Sequence, residues 1–283
     1  MRPSAFRATV VNMAGNTLLF ALKLAAGLLS GSIALLSDAF NSLTDMVSSA
    51  AVFICVRISE KEADEGHPFG HSRAEPIAGI VVAVLAGILG FEVIKASVQR
   101  LVSDGEVRAG PFAFAALAVT MAVKGAMAWY FRSVGRRTGS PAITASAADS
   151  LCDVWVSAAA LTGIIGVRAG YPLLDPLAGL VISGWIIYTG YSIGMENIDY
   201  LMGKSPPRGM LEAIEHEARS VDGVRDVGDV KAHYVGNFIH VEIPVKVDKD
   251  LSTLDSHEIG KRVEEAVDRI EAIEKAFIHI DPV

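Results

Sequence analysis

The sequence predicts an α-helical membrane protein with six transmembrane helices and a small C-terminal cytosolic α+β domain. Three observations predict it. Of 283 residues, 51% are hydrophobic and only 20% charged, where a soluble domain carries about 25% charged. Six apolar stretches, near 9–30, 33–56, 77–100, 111–131, 143–167 and 173–199, reach the roughly 20 residues that a bilayer crossing needs. After residue 204 the chain turns charged and alternating, which divides it into a membrane domain, 1–204, and a soluble domain, 205–283. This composition excludes a disordered chain or a collagen repeat. Cys55 and Cys152 lie in apolar runs and imply no disulfide framework. A net charge of −7 without a Lys/Arg cluster excludes nucleic acid as the partner.

Arg2 and Arg7 precede a first span too long for a signal-peptide core, so no cleavable signal is expected. The links Ser30–Ser32 and Ala169–Tyr171 are short enough for tight hairpins. Basic residues set the orientation. The N-terminus and the loops 57–76 and 132–142 hold Arg2, Arg7, Arg57, Lys61, Arg73, Arg132, Arg136 and Arg137. The opposite side holds Arg100, Arg108 and Arg168. Both termini are therefore expected in the cytoplasm of a multi-pass protein. A single short chain without targeting signals suggests a prokaryotic plasma (inner) membrane.

In the tail, residues 207–219 read as a helix and 224–235 as a strand turned at Gly236-Asn237. From Phe238 to Val247, Ile239, Val241, Ile243, Val245 and Val247 alternate with His240, Glu242, Pro244 and Lys246, which predicts one buried and one wet face. Ser252 and Asp255 form a capping-box-like start for a helix with Ile259, Val263, Ala266 and Ile270 on one stripe. A last strand, 276–281, completes an αββαβ domain that is marginal alone at its size and is expected to dimerise.

An ionisable group within a span costs about 2.5–3.5 kcal/mol to insert, so each needs a reason. Span two presents Asp38, Asn41 and Asp45 on one helical face, and span five presents Asp149 and Asp153 at i and i+4. Two such helices facing each other offer Asn41, Asp45, Asp149 and Asp153 to one divalent cation. Without a cation the three carboxylates repel one another, so protons are expected to replace it. A site that holds either a metal or protons has the chemistry of a proton/metal exchanger. The rival reading, helix caps or interhelical hydrogen bonds, suits isolated polar residues better than two spaced pairs. Asp38 reads as second shell or as a structural hydrogen bond. Asn12, Asn16 and Lys23 read as interhelical packing before partners of these carboxylates, and Cys152 reads as packing before a metal contact.

These residues carry a family resemblance. Leu36-Ser-Asp-Ala-Phe-Asn-Ser-Leu-Thr-Asp45, His67-Pro-Phe-Gly-His71-Ser-Arg-Ala-Glu75, the Asp149/Asp153 pair and the ending His279-Ile-Asp281-Pro282 resemble the signatures of the cation diffusion facilitators over nearly the whole chain. The resemblance implies a homodimeric carrier with a metallochaperone-like (ferredoxin-like) cytosolic domain that exports divalent metal against protons. It carries the four intramembrane ligands over to Asn41, Asp45, Asp149 and Asp153. Zinc-exporting members typically place His at the first ligand position of one or both helices. Asn41 and Asp149 stand there instead, as in the manganese branch. An all-oxygen site suits Mn2+ first, then Fe2+, with Zn2+ also accommodated.

Two further metal sites follow from the resemblance. Asp64, His67 and His71 in the loop after span two form a peripheral site or a polar capping turn. In the tail, His257, His279 and Asp281 match cytosolic ligand positions, and His240 and Glu242 share a face that can complete them. His233 is a weaker candidate. The position at Gly228, a His in relatives, offers no side chain, so the tail is either a weak metal site or a dimerisation module only. Arg73 matches a residue that in relatives pairs across the dimer, but the acidic partner expected just after span six is missing from Leu201-Met-Gly203-Lys204, and Asp199 is the candidate to replace it. No cofactor is implied beyond the transported metal and the exchanged protons, the lipid membrane is the setting, and no Walker motif implies ATP. No nucleophile–base pair accompanies the carboxylates, so an enzyme is not expected. The alternative function is a membrane-anchored metal sensor or scaffold without transport.

Overall fold

The computed structural model describes the backbone of residues 3–30, 33–102, 111–171, 173–236, 238–270 and 272–283, and side chains for most of them. The side chains of Asp38 and Asn41, the Ser30–Ser32 hairpin, Arg108 and Asn237 lie outside the described residues. The chain forms two units, Met1–Ile198 and Asp199–Val283.

The first unit holds six long helices: α1 Pro3–Ser30, α2 Ile33–Ser59, α3 Ala74–Val102, α4 Pro111–Thr138, α5 Pro141–Arg168 and α6 Leu174–Leu201. Among the described residues, α1 to α4 and α6 each contain a segment long and apolar enough to cross a membrane. α5 has 28 residues, about 42 Å of helix at 1.5 Å per residue, and it is the central helix. Its Ile143 and Ala147 pack with Ala5 and Ala8 of α1 and Phe131 of α4. Its Ala142 and Ala145 pack with Val52 and Val56 of α2 and Val82 of α3. Its Cys152 is buried between Ala86 of α3 and Ile186 of α6, as packing requires. Small residues allow these approaches. A Cβ on Gly190 of α6 would stand 3.1 Å from the Ala83 carbonyl of α3.

The helices are longer than the apolar stretches. The expected loop 132–142 is almost wholly helical, because α4 continues through Arg132, Arg136 and Arg137 to Thr138. Gly139, at φ +66°, ends it by donating to the Gly135 carbonyl at 2.8 Å. At the Ala169–Tyr171 hairpin, Gly170 adopts φ +88° and Tyr171 N–H closes onto the Gly166 carbonyl at 2.8 Å.

The second unit contains α7 Arg208–Arg219, β1 Asp226–Val227, β2 Lys231–Val235, β3 Phe238–Val247, α8 Thr253–Val267 and β4 Ile273–Pro282. β3 is central, with β1 and β2 antiparallel to it and β4 parallel. The single strand expected over 224–235 is broken in two. Gly228 N–H donates to the Pro244 carbonyl at 2.7 Å, but proline has no N–H to return the bond. A side chain at Gly228 would press on the Pro244 ring at 3.0 Å. Ser252 caps α8 by accepting the Asp255 N–H at 3.1 Å. Ile214 and Ala218 of α7 and Ile259, Val263 and Val267 of α8 cover Ile239, Val241, Ile243, Val245 and Val247 of β3.

Ile243 is fully buried at the centre of this core. Ile243→Ala is expected to destabilise the unit by about 2–5 kcal/mol. Hydrogen exchange of the β3 amides in the full-length chain measures that loss.

Candidate functional site

Lys124 of α4 lies between two of the expected ligand carboxylates. Its side chain is 1% exposed, against 20% for Asp45 and 14% for Asp153. The ammonium donates to Asp45 Oδ2 at 2.9 Å and also to Asp153 Oδ2. Asp149, half-buried one turn before Asp153 on α5, lies within Coulombic reach of Lys124, Asp45 and Asp153. Three carboxylates from two helices thus converge on one cation from a third. Lys124 neutralises part of their repulsion, alongside the protons expected on some of these carboxylates. Reasoning from carboxylate pairs passes over Lys124. The insertion cost that singles out each Asp applies equally to a lysine inside an apolar span, and that is the signal that finds it. Removing Lys124 would leave both carboxylates without this cation, at about 3–5 kcal/mol, whereas removing either aspartate leaves Lys124 paired with the other.

Around this centre, Asn12 and Asn16 of α1 serve as packing polar groups. Asn16 Nδ2 donates to Asn12 Oδ1 at 3.0 Å and to Ser49 Oγ of α2, while Asn12 Nδ2 donates to Ser146 Oγ of α5 at 3.3 Å. Sequence reasoning also left Glu75 without a role. It is 5% exposed at the start of α3 and accepts hydrogen bonds from Ser140, at the start of α5, and from Ser59, at the end of α2. Ser140 in turn accepts the Ile143 N–H at 3.3 Å. One carboxylate therefore ties three helix ends together.

The loop residues Asp64, His67 and His71 come together, their ligand atoms all within 4.8 Å of one another. Asp64 Oδ1 accepts the His67 backbone N–H at 2.7 Å and faces His67 Nδ1 at 3.3 Å, and Asp64 Oδ2 lies 3.4 Å from His71 Nε2. The His67 backbone N–H, with smaller contributions from both imidazoles, holds the Asp64 carboxyl below its ordinary range. The carboxylate therefore remains charged throughout the neutral range, ready to meet a cation.

The tail residues converge less. His240 was expected on a wet strand face but is only 5% exposed. Its Nε2 pairs with Glu274 Oε2 at 3.0 Å, and the His233 and Phe277 rings close over it at 5.9 and 6.0 Å. His240, Glu242 and His279 line one cleft of 470 Å³ together with His233 and Lys231. Asp281 is turned to His279 Nε2 at 3.2 Å. His257 stands exposed on α8, which packs on the Ile278/Ile280 side of β4, and is not among the residues of the cleft. Asp199 faces Lys204 at 3.7 Å.

Long apolar helices with ionised groups buried among them define a multi-pass membrane transporter. The comparisons agree with that class. Residues 9–202 match the cation efflux transmembrane domain, and residues 206–283 match the cytoplasmic domain of cation efflux proteins, a dimerisation module. An uncharacterized transporter of Methanocaldococcus jannaschii is 33% identical over 272 residues, covering 96% of each chain. The manganese efflux system protein MneS of Bacillus subtilis is 30% identical, covering 96% of this chain and 94% of its own. The magnetosome protein MamM of Paramagnetospirillum magneticum is 34% identical, covering 91% and 81%. The chain belongs to the cation efflux family, the cation diffusion facilitators, whose members are transporters.

Asn16→Leu, which removes two hydrogen bonds between buried groups, is expected to lower stability by about 1–2 kcal/mol. Thermal unfolding of the detergent-solubilised chain measures it.

Proposed function

We propose that this protein exports divalent metal ions from the cytoplasm in exchange for protons, with Mn2+ as its principal substrate, Fe2+ next and Zn2+ also accepted. The observation that carries the reading is the convergence of Asp45 on α2 and Asp153 on α5 at one point inside the helical unit, with Asp149 beside them. A mere anchor has no reason to place three carboxylates there. Asn41, one turn before Asp45 on the same helix, completes an all-oxygen ligand set, which suits Mn2+ better than Zn2+. MneS, a manganese efflux protein by name, supports the choice.

In this mechanism cytosolic metal enters between α2 and α5, binds the carboxylates, and leaves on the outside as protons compete for the same oxygens. The helices alternate access around a central site, the general solution for secondary carriers. Both termini lie in the cytoplasm of a prokaryotic plasma membrane, and two copies associate through the C-terminal unit. His240, Glu242 and His279, with Asp281 beside His279, give that unit at most a weak regulatory metal site, and His257 stands apart from it on α8.

Uptake of Mn2+, Fe2+ and Zn2+ into proteoliposomes with an imposed pH gradient tests the reading. Mn2+ uptake is expected to fall by at least about 100-fold in Asp153→Ala, which removes one metal-binding carboxylate and one of the two ion pairs of Lys124. Asn41→His is expected to shift preference toward Zn2+. Uptake indifferent to collapse of the gradient contradicts antiport, and metal binding without any uptake favours the anchored sensor.

The loop triad is a peripheral site in this account. Asp64→Asn is expected to remove one weak Mn2+ site from the binding isotherm of the full chain while Asp45 and Asp153 continue to support transport. Loss of all uptake in that variant counts against a peripheral role.

A further inference from the structure

We infer that Lys124 is a tethered competitor for the transported ion, which excludes monovalent cations from the site and hastens release of the divalent one. The inference rests on the proposed reading of Asp45 and Asp153 as ligands. The ammonium of Lys124 already holds one oxygen of each, Oδ2 in both cases, from a side chain that is 1% exposed. A metal ion that binds these oxygens competes with the ammonium for the same lone pairs, and the repulsion between two cations at that spacing drives the ammonium off. The aliphatic stem of lysine gives its head group the reach to withdraw without any change in the backbone.

Three consequences follow from charge and attachment. A Na+ or K+ ion brings the same charge as the ammonium, and it also loses its hydration and its freedom, whereas the tethered group is already in place. It therefore gains nothing by displacement. A divalent ion gives up more hydration, but it doubles the attraction to every carboxylate in reach and gathers Asp149 and Asn41 as further ligands, which together let it outcompete the lysine. Once metal is bound, the displaced ammonium remains attached nearby and is always available to reclaim Asp45 and Asp153. That return lowers affinity and shortens the residence of the metal, which suits a carrier that must let its cargo go. Lys23 of α1 also acts electrostatically on Asp153, and Lys124 bridges α2 and α5 through ion pairs to Asp45 and Asp153.

The experiment measures Mn2+ binding to the full-length protein in nanodiscs, using the electron paramagnetic resonance signal of the free ion, with and without Na+ at physiological concentration. The variants are Lys124→Met and Lys124→Arg. Lys124→Met is expected to bind Mn2+ at least about tenfold more tightly than the native chain and to become sensitive to Na+, while Lys124→Arg, which keeps the charge, remains insensitive. A purely structural lysine would give weaker binding or none on removal, never tighter binding together with a new monovalent competitor. Where Lys124→Met does not fold, Lys124→Gln, which keeps a hydrogen-bonding end and loses the charge, carries the same test. Native or weaker Mn2+ affinity in a folded, uncharged variant overturns the inference. Asp153→Asn run alongside separates the two ideas. If it binds and carries Mn2+ like the native chain, the ligand reading itself fails. If it loses Mn2+ while Lys124→Met is unaltered, only the role of the lysine fails.

Discussion

The buried ion pairs from Lys124 to Asp45 and Asp153 constrain everything else in the helical unit. Ionised groups at membrane depth persist only where they are matched, and here the match joins three helices. α2, α4 and α5 must therefore meet at one level, and their surfaces are built for close approach. Ala142, Ala145 and Ala147 of α5 pack against α1, α2, α3 and α4, and Ile143 and Phe131 fill the space between α5 and α4. Asn12, Asn16, Ser49 and Ser146 add hydrogen bonds between α1, α2 and α5. Glu75 does the same for the ends of α2, α3 and α5. Polar groups thus specify which helices touch, while the apolar remainder of each helix specifies only that it lies in the membrane.

The C-terminal unit follows a different logic. Its stability comes from five alternating apolar residues of β3 beneath two helices, Ile239 through Val247. The other face of the same strand stays outside that core, and His240, Glu242 and the neighbouring His279 meet there in one cleft. His240 is held by Glu274 and enclosed by rings, which makes it a supporting group for that cleft rather than its solvent-facing ligand.

Much of this is legible in the sequence because it depends on local pattern. The alternation of β3, the Ser252 cap of α8 and its Ile259/Val263/Ala266 stripe each depend on residues within a turn or two of one another. So does the sharing of a face by Asp149 and Asp153. What escapes depends on partners far along the chain. The break between β1 and β2 arises from a missing N–H on Pro244, sixteen residues beyond Gly228. The burial of His240 comes from Glu274 on a parallel strand. α4 outlasts its apolar stretch because its arginines can be helical outside the hydrocarbon as readily as they can form a loop. Lys124 is visible as a charge in an apolar run, but the carboxylates that hold it are 79 and 29 residues away, and no spacing rule connects them.

The central claim is that the metal is carried at the meeting point of α2 and α5. Anomalous scattering at the manganese edge, from crystals of the full-length protein grown with Mn2+, tests it most directly. The account predicts a peak between Asp45 and Asp153 with the Lys124 ammonium moved off both carboxylates. A peak confined to the Asp64/His67/His71 loop, with Lys124 still bridging the two carboxylates, would contradict it.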